Sequence, residues 1–223
     1  MDQKPDFKKA YILANELLVA ARCIKTFPFD AAEFVKEQTD LKFCSFKRAY
    51  EKFGLVCQDL GSDSAILTKL KGKNIVFYNQ EECDMRDSFS RIHETGHFLM
   101  GHKTDLEAED PLYGIQEIET NFFTAQMVMP LQVLKEIQHR GYKVGSSYLM
   151  RNFGASYSAA KTRTETLNKR IFLTEEEKLF DDIILEKFKA FINKVAPQKY
   201  RESYSCWDDE MQKERDLWLA EGY

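Results

Sequence analysis

Apolar residues recur at helical spacing near the start of the chain. Tyr11, Ala14, Leu18 and Ala21 fall on one face and predict an amphipathic helix over residues 7–25. Pro28 interrupts it, and Asp30 has the chemistry of an N-cap for a short helix through Lys36. A third helix is expected over 45–53, stopped by Gly54. The period then changes. Leu55-Val56-Cys57, Ala65-Ile66-Leu67 and the run 74–78 are short apolar stretches divided by Gly61-Ser62-Asp63 and Lys71-Gly72-Lys73, which reads as three short strands joined by turns. Helical spacing returns after Asp84. One helix is expected over 85–100, ending at Gly101, and a second over 113–129, with a polar, acidic loop over 103–113 between them. Pro130 suits the first position of a helix through His139, and Gly141, Gly145 and Gly154 punctuate further short helices. Thr174-Glu175-Glu176-Glu177 has the form of a capping box and opens a charged helical tail divided by Pro197. The pattern is that of an α+β chain with a small, about three-stranded sheet and a mostly helical C-terminal half.

Composition narrows the function classes. A chain of 223 residues with 43% hydrophobic content can bury one sizeable core. Charged residues make up 30% with the two signs mixed, and the net charge is −4. Direct nucleic-acid binding and attraction to an anionic membrane are therefore not expected. The apolar stretch over 11–24 is broken by Asn15, Glu16 and Arg22, which makes it too polar for a secretory segment and too short for a bilayer span. A cytoplasmic location is expected. Five scattered cysteines, never spaced C-x-x-C, read as free thiols in a reducing compartment.

The candidate chemistry lies in the middle of the chain. Three of the four histidines fall at 93, 97 and 102. Residues four apart share a helix face, so His93 and His97 can present two imidazoles to one ion, as zinc requires. Glu94 is placed to reach water polarised by that ion, the role of the general base in H-E-x-x-H peptidases. Phe89, Ile92, His93, Gly96 and Met100 share the apolar stripe, so the ligand face is also the buried face. Gly96 costs roughly 1 kcal/mol in helix propensity relative to Ala, which makes sense if another segment approaches that face closely.

A catalytic zinc needs a third protein ligand. The metzincin spacing would require Gly at 100 and His at 103, where the chain has Met100 and Lys103, so His102 is expected behind the ligands or at the surface. Asp105, Glu107, Glu109 and Asp110 lie in the acidic loop and read as solvated. Glu117 and Glu119 lie on the following helix. Glu119 falls in the wheel sector of Ile115, Phe122 and Phe123, and Glu117 among Thr120, Asn121, Thr124 and Val128. A carboxylate in an apolar sector needs a cation or hydrogen bonds. Zinc would satisfy Glu119; an Arg or Lys partner is the alternative.

The stretch Phe89-Ser90-Arg91-Ile92-His93-Glu94-Thr95-Gly96-His97 resembles the F-[ST]-x-A-H-E-L-G-H signature of the ImmA/IrrE metallopeptidases. Residues 119–130, from Glu119 through Asn121 and Phe123 to Pro130, resemble that family's E-A-N-x-F-A-A-x-L-L-M-P signature. Asn152-Phe153-Gly154-Ala155-Ser156, with Ala159 and Arg163, is similar to its F-x-V-S-x-x-A-x-x-R-L region. The resemblance covers roughly 50–170 and departs at Ile92, Thr95, Thr120, Thr124 and Ala155, which bear on substrate fit and leave the ligands intact. It implies a zincin-like core with one zinc ion per chain, His93, His97 and Glu119 as ligands and Glu94 as catalytic base. The chain is expected to divide into an N-terminal helical segment over 1–40, a metallopeptidase domain over 41–172 and a helical tail over 173–223. The resemblance also implies a protein substrate, a helix-turn-helix repressor encoded by the same prophage or mobile element. The alternative is a zinc-binding regulator that derepresses by contact without proteolysis. Tyr113, Tyr142, Tyr148, Tyr157 and His139 remain open as oxyanion donors. Trp207 and Trp218 are expected to pack the tail onto the body.

Overall fold

Asp6 accepts the backbone N–H of Lys9 on its side chain and opens helix α1, Phe7–Ala20. The structure, a computed structural model, describes residues 4–104, 106, 109–168, 173–198, 211, 213 and 214. Trp207 and Trp218 lie outside the described residues. Helix α1 ends five residues before the expected boundary at 25. The backbone N–H groups of Arg22 and Cys23 go instead to the carboxylate of Glu37 at 2.8 and 2.9 Å. That carboxylate belongs to helix α2, Ala31–Gln38, whose N-cap is Asp30 as expected. Helix α3, Phe46–Phe53, starts at its N-cap Ser45 and stops at Gly54, where φ is +68°.

Three strands form one sheet in the order β1-β3-β2: Lys42–Ser45, Lys73–Tyr78 and Ala65–Leu70. β1 runs parallel to β3, and β2 antiparallel. Lys71 and Gly72, with φ of +50° and +79°, join β2 to β3 in the left-handed conformation that two-residue hairpin turns require. The strand expected at 55–57 is absent. That segment enters a single helical turn, α4 (Cys57–Leu60), whose start is fixed by the Val56 N–H donating to the Asp59 carboxylate at 3.0 Å. The strand that completes the sheet is β1. Its apolar alternation spans only four residues and runs straight into the N-cap of α3, too short to stand out in the sequence.

The remaining helices are α5 (Asp84–Met100), α6 (Pro111–Val128), α7 (Leu131–His139), α8 (Ser146–Phe153), α9 (Tyr157–Thr166), α10 (Glu175–Lys187) and α11 (Lys189–Val195). Pro130 caps α7 rather than opening it, and the capping box of Thr174 and Glu177 starts α10. α6 is flanked by α1 on one side and α5 on the other, and α5 rests against β2 and β3. Arg91 of α5 pairs with Asp87 and stands 3.8 Å over the ring of Tyr78, tying this helix to the sheet. The main core gathers Leu18, Phe34, Ile92, Phe123, Met127 and Leu134 between these layers, and a smaller cluster of Cys44, Ala49 and Phe77 lies between the sheet and α3. Among the described residues, no helix is long and apolar enough to cross a membrane.

Candidate metal centre

The close approach of α5 and α6 sets the site. A Cβ placed on Gly96 would stand 2.7 Å from Phe123 Cδ1 and 3.0 Å from Thr120 Cγ2. Phe123 and Thr120 are fully buried and cannot swing away. The glycine is therefore a contact requirement, as its place on the ligand face suggested. We expect Gly96→Val to destabilise the fold by about 1–3 kcal/mol through overpacking, against a gain of a few tenths of a kcal/mol in helix propensity. Thermal unfolding of the two proteins checks this; an unchanged or higher melting temperature would contradict it.

Across that contact, His93, His97 and Glu117 converge. His93 Nε2 lies 3.3 Å from Glu117 Oε2, His97 Nε2 lies 3.1 Å from Glu117 Oε1, and the two Nε2 atoms are 3.1 Å apart. These three side chains could hold a metal ion. Ligands at 2.0–2.1 Å in a tetrahedron stand about 3.3–3.4 Å from one another, so the donor spacing fits a small tetrahedral ion such as zinc. Burial works against ionisation of Glu117, but its hydrogen bonds with the two histidines win and hold the carboxyl well below its usual range.

Glu94 stands beside this cluster on the same helix. Its Oε2 accepts the backbone N–H of Leu67 at 2.7 Å, which pins it against strand β2. Burial raises its pKa to about 7, with His97 opposing and the Glu117 charge adding to the shift. A carboxyl poised near neutrality can both take up and release a proton. Tyr113 lies one turn before Glu117. Repulsion from Glu117, then burial, then the charge of Glu94 raise its pKa above the ordinary tyrosine value, so its hydroxyl stays a donor at neutral pH. The other tyrosines named from sequence are committed elsewhere or open to solvent. Tyr142 donates to the Pro197 carbonyl, Tyr148 to that of Val195, and Tyr157 is exposed.

Glu119, expected as the third ligand, is not brought to the two histidines. Its Oε1 accepts the backbone N–H of Asp6 at 2.6 Å, and its Oε2 lies 3.1 Å from His102 Nε2. His102 Nδ1 in turn lies 3.1 Å from His97 Nδ1 and 3.0 Å from Thr120 Oγ1. With His97 offering Nε2 to a metal, its Nδ1–H donates to His102 Nδ1, and His102 Nε2–H donates to Glu119. In that arrangement Glu119 would orient His97 through His102, the role partners of metal-bound imidazoles generally play.

The physical reason is that α6 is buried on two sides. Its apolar sector, with Phe122 and Glu119, faces α1, where Phe122 meets the ring of Phe7 at 5.2 Å. The face toward α5 carries Glu117, Thr120 and Phe123, and Thr120 is fully buried although it reads as polar. The signal that could have found Glu117 is Thr120 set opposite Gly96, since small residues mark close helix contacts. Of the acidic loop, Asp105 and Glu107 lie outside the described residues.

The family Peptidase_M78, described as the IrrE N-terminal-like domain, matches residues 46–165, a span that holds His93, Glu94, His97 and Glu117. No curated protein matches the chain.

Proposed function

We propose, since this chain belongs to the Peptidase_M78 family of IrrE N-terminal-like domains, that it is a zinc-dependent peptidase making a site-specific cut in a protein. The convergence of His93, His97 and Glu117 at 3.1–3.3 Å, with Glu94 beside them, is the observation that carries this reading.

His93, His97 and Glu117 would hold the zinc ion, which when bound would supply Lewis acidity toward a scissile carbonyl and toward water. Glu94 takes the proton from the attacking water and returns it to the departing amine, and a pKa near 7 suits both halves of that task. Tyr113, with its hydroxyl protonated, is the donor for the oxyanion that develops on the carbonyl. β2 is an edge strand, hydrogen-bonded to β3 on one side only, and it lies against Glu94 through Leu67. An extended segment of substrate can pair along such an edge, which favours cleavage within an exposed loop or linker.

The substrate we propose is a helix-turn-helix repressor encoded next to this protein on a prophage or mobile element, with relief of transcriptional repression as the outcome. This rests on the family resemblance. Co-expression with the helix-turn-helix protein of the adjacent reading frame, read by intact-mass spectrometry, should yield two fragments whose masses sum to the repressor plus one water. An intact repressor in the presence of zinc-loaded protein would reject that substrate.

A further inference from the structure

A cavity of about 1060 Å³ lies between α9 and the pair α5 and α6. Its floor is apolar and buried: Phe27, Ile92, Phe122 and Phe153. Its edge is polar and exposed, with Asp84, Arg86, Asn121 and Ser156. Ile118, 47% exposed, also lines it, and α9 presents the small side chains of Ala159 and Thr162. An apolar floor inside a polar edge is the form of a groove that receives one face of an amphipathic helix. A helix about 10 Å across, rising 1.5 Å per residue, occupies roughly 120 Å³ per residue, so the cavity takes the inner side of about three turns.

The chain carries such a pattern beyond α11. Trp207, Met211 and Trp218 fall within about 40° of one another on a helical wheel, and Asp209, Gln212, Lys213 and Asp216 fall opposite. Glu214 and Arg215 border the apolar stripe on its two sides, which suits a polar edge. Ser205 and Asp208 have the spacing of a capping box, and Asp208, Asp209 and Glu210 suit a first turn. Met211, the described member of the stripe, is 56% exposed. The segment also starts close to the cavity. Phe191 of α11 sets its ring edge-on, 5.2 Å from both Phe27 and Phe153. Roughly 16 Å of chain leads from Phe191 to Gln198, and the stretch from there to Trp207 can span up to about 30 Å.

We propose that residues 207–218 form a helix that docks in this cavity of their own chain, with Trp207 and Trp218 on the phenylalanine floor and Met211 between them. The inference does not rest on peptidase activity.

Both tryptophans of the chain lie in this segment, so tryptophan fluorescence of the full-length protein reads the segment alone. Emission should be blue-shifted from that of the denatured protein and shielded from acrylamide. Ala125→Phe and Ala159→Phe narrow the cavity and should each remove the shielding. Leu179→Ser, on the exposed face of α10, should leave it unchanged. Since a bulky residue in the cavity can unsettle α9 itself, a reciprocal variant combines Trp207→Ser with Trp218→Ser and leaves the core as it is. Backbone hydrogen exchange over Tyr157–Thr166 should quicken in it roughly ten-fold or more. Tryptophans as exposed as in the denatured protein, shielding that survives both phenylalanine variants, sensitivity to Leu179→Ser, or unchanged exchange in the reciprocal variant would each overturn the docking. Shielding lost on dilution, together with a dimer in light scattering, would overturn it too and give the cavity to the segment of a second copy.

Discussion

The Glu94→Gln protein should keep its metal and lose peptide hydrolysis by roughly 10²–10⁴-fold, the usual contribution of a general acid–base group. Glutamine has the same shape, and its amide oxygen can still accept the Leu67 N–H that pins residue 94 to β2. Only the proton carrier is removed. Metal content by atomic spectroscopy and cleavage by mass spectrometry read the two halves separately. Normal cleavage by a metal-loaded variant would sink the mechanism. A repressor inactivated in cells without being cut would favour the contact-only regulator instead.

The same substitution has a pH signature in metal-free protein. Burial raises Glu94 from 4.5 to about 7, so its ionisation opposes folding. The folded state holds that proton over a range where the unfolded state has released it, and stability falls as pH rises from about 4.5 to about 7. Glutamine has nothing to ionise. The metal-free variant should therefore melt above metal-free wild type at pH 8, and the difference should vanish below about pH 4.5.

The second large effect separates the two glutamates of α6. Glu117→Ala removes a donor that stands 3.1–3.3 Å from both histidines, and should leave the purified protein without bound metal. Glu119→Ala and His102→Ala remove only the chain that orients His97. They should weaken metal binding by about 10–100-fold and recover occupancy when excess zinc is supplied. Titration with a competing chelator distinguishes the cases. Retained metal in Glu117→Ala, together with loss in Glu119→Ala that excess zinc cannot restore, would reverse the ligand assignment.

Much of this molecule was legible in its residues. The caps at Asp30 and Thr174, the stops at Gly54 and Gly101, and the placement of His93 and His97 one turn apart all follow from local chemistry. What failed was tertiary. β1 was hidden because four residues carry too little periodicity. Glu117 was passed over because α6 packs against α1 and α5 on two faces, so Phe122 toward α1 and Phe123 with Thr120 toward α5 leave apolar side chains on both and the wheel does not single out the face that meets the histidines. Arg163 gave no sign of its burial, since a lone arginine on a short helix reads as a surface residue until the elements around it are assembled.

The hydrogen bond from the Asp6 backbone to Glu119 carries a consequence that reaches the first helix. Asp6 caps α1, and Glu119 leads through His102 to His97, so the start of α1 is the outermost member of the metal's own scaffold. Two equilibria that share a bond are coupled by one free energy, equal in both directions. If His93, His97 and Glu117 hold the metal, a change that breaks the Asp6–Glu119 bond would weaken its binding, and by reciprocity metal binding would favour the docked first helix by the same free energy.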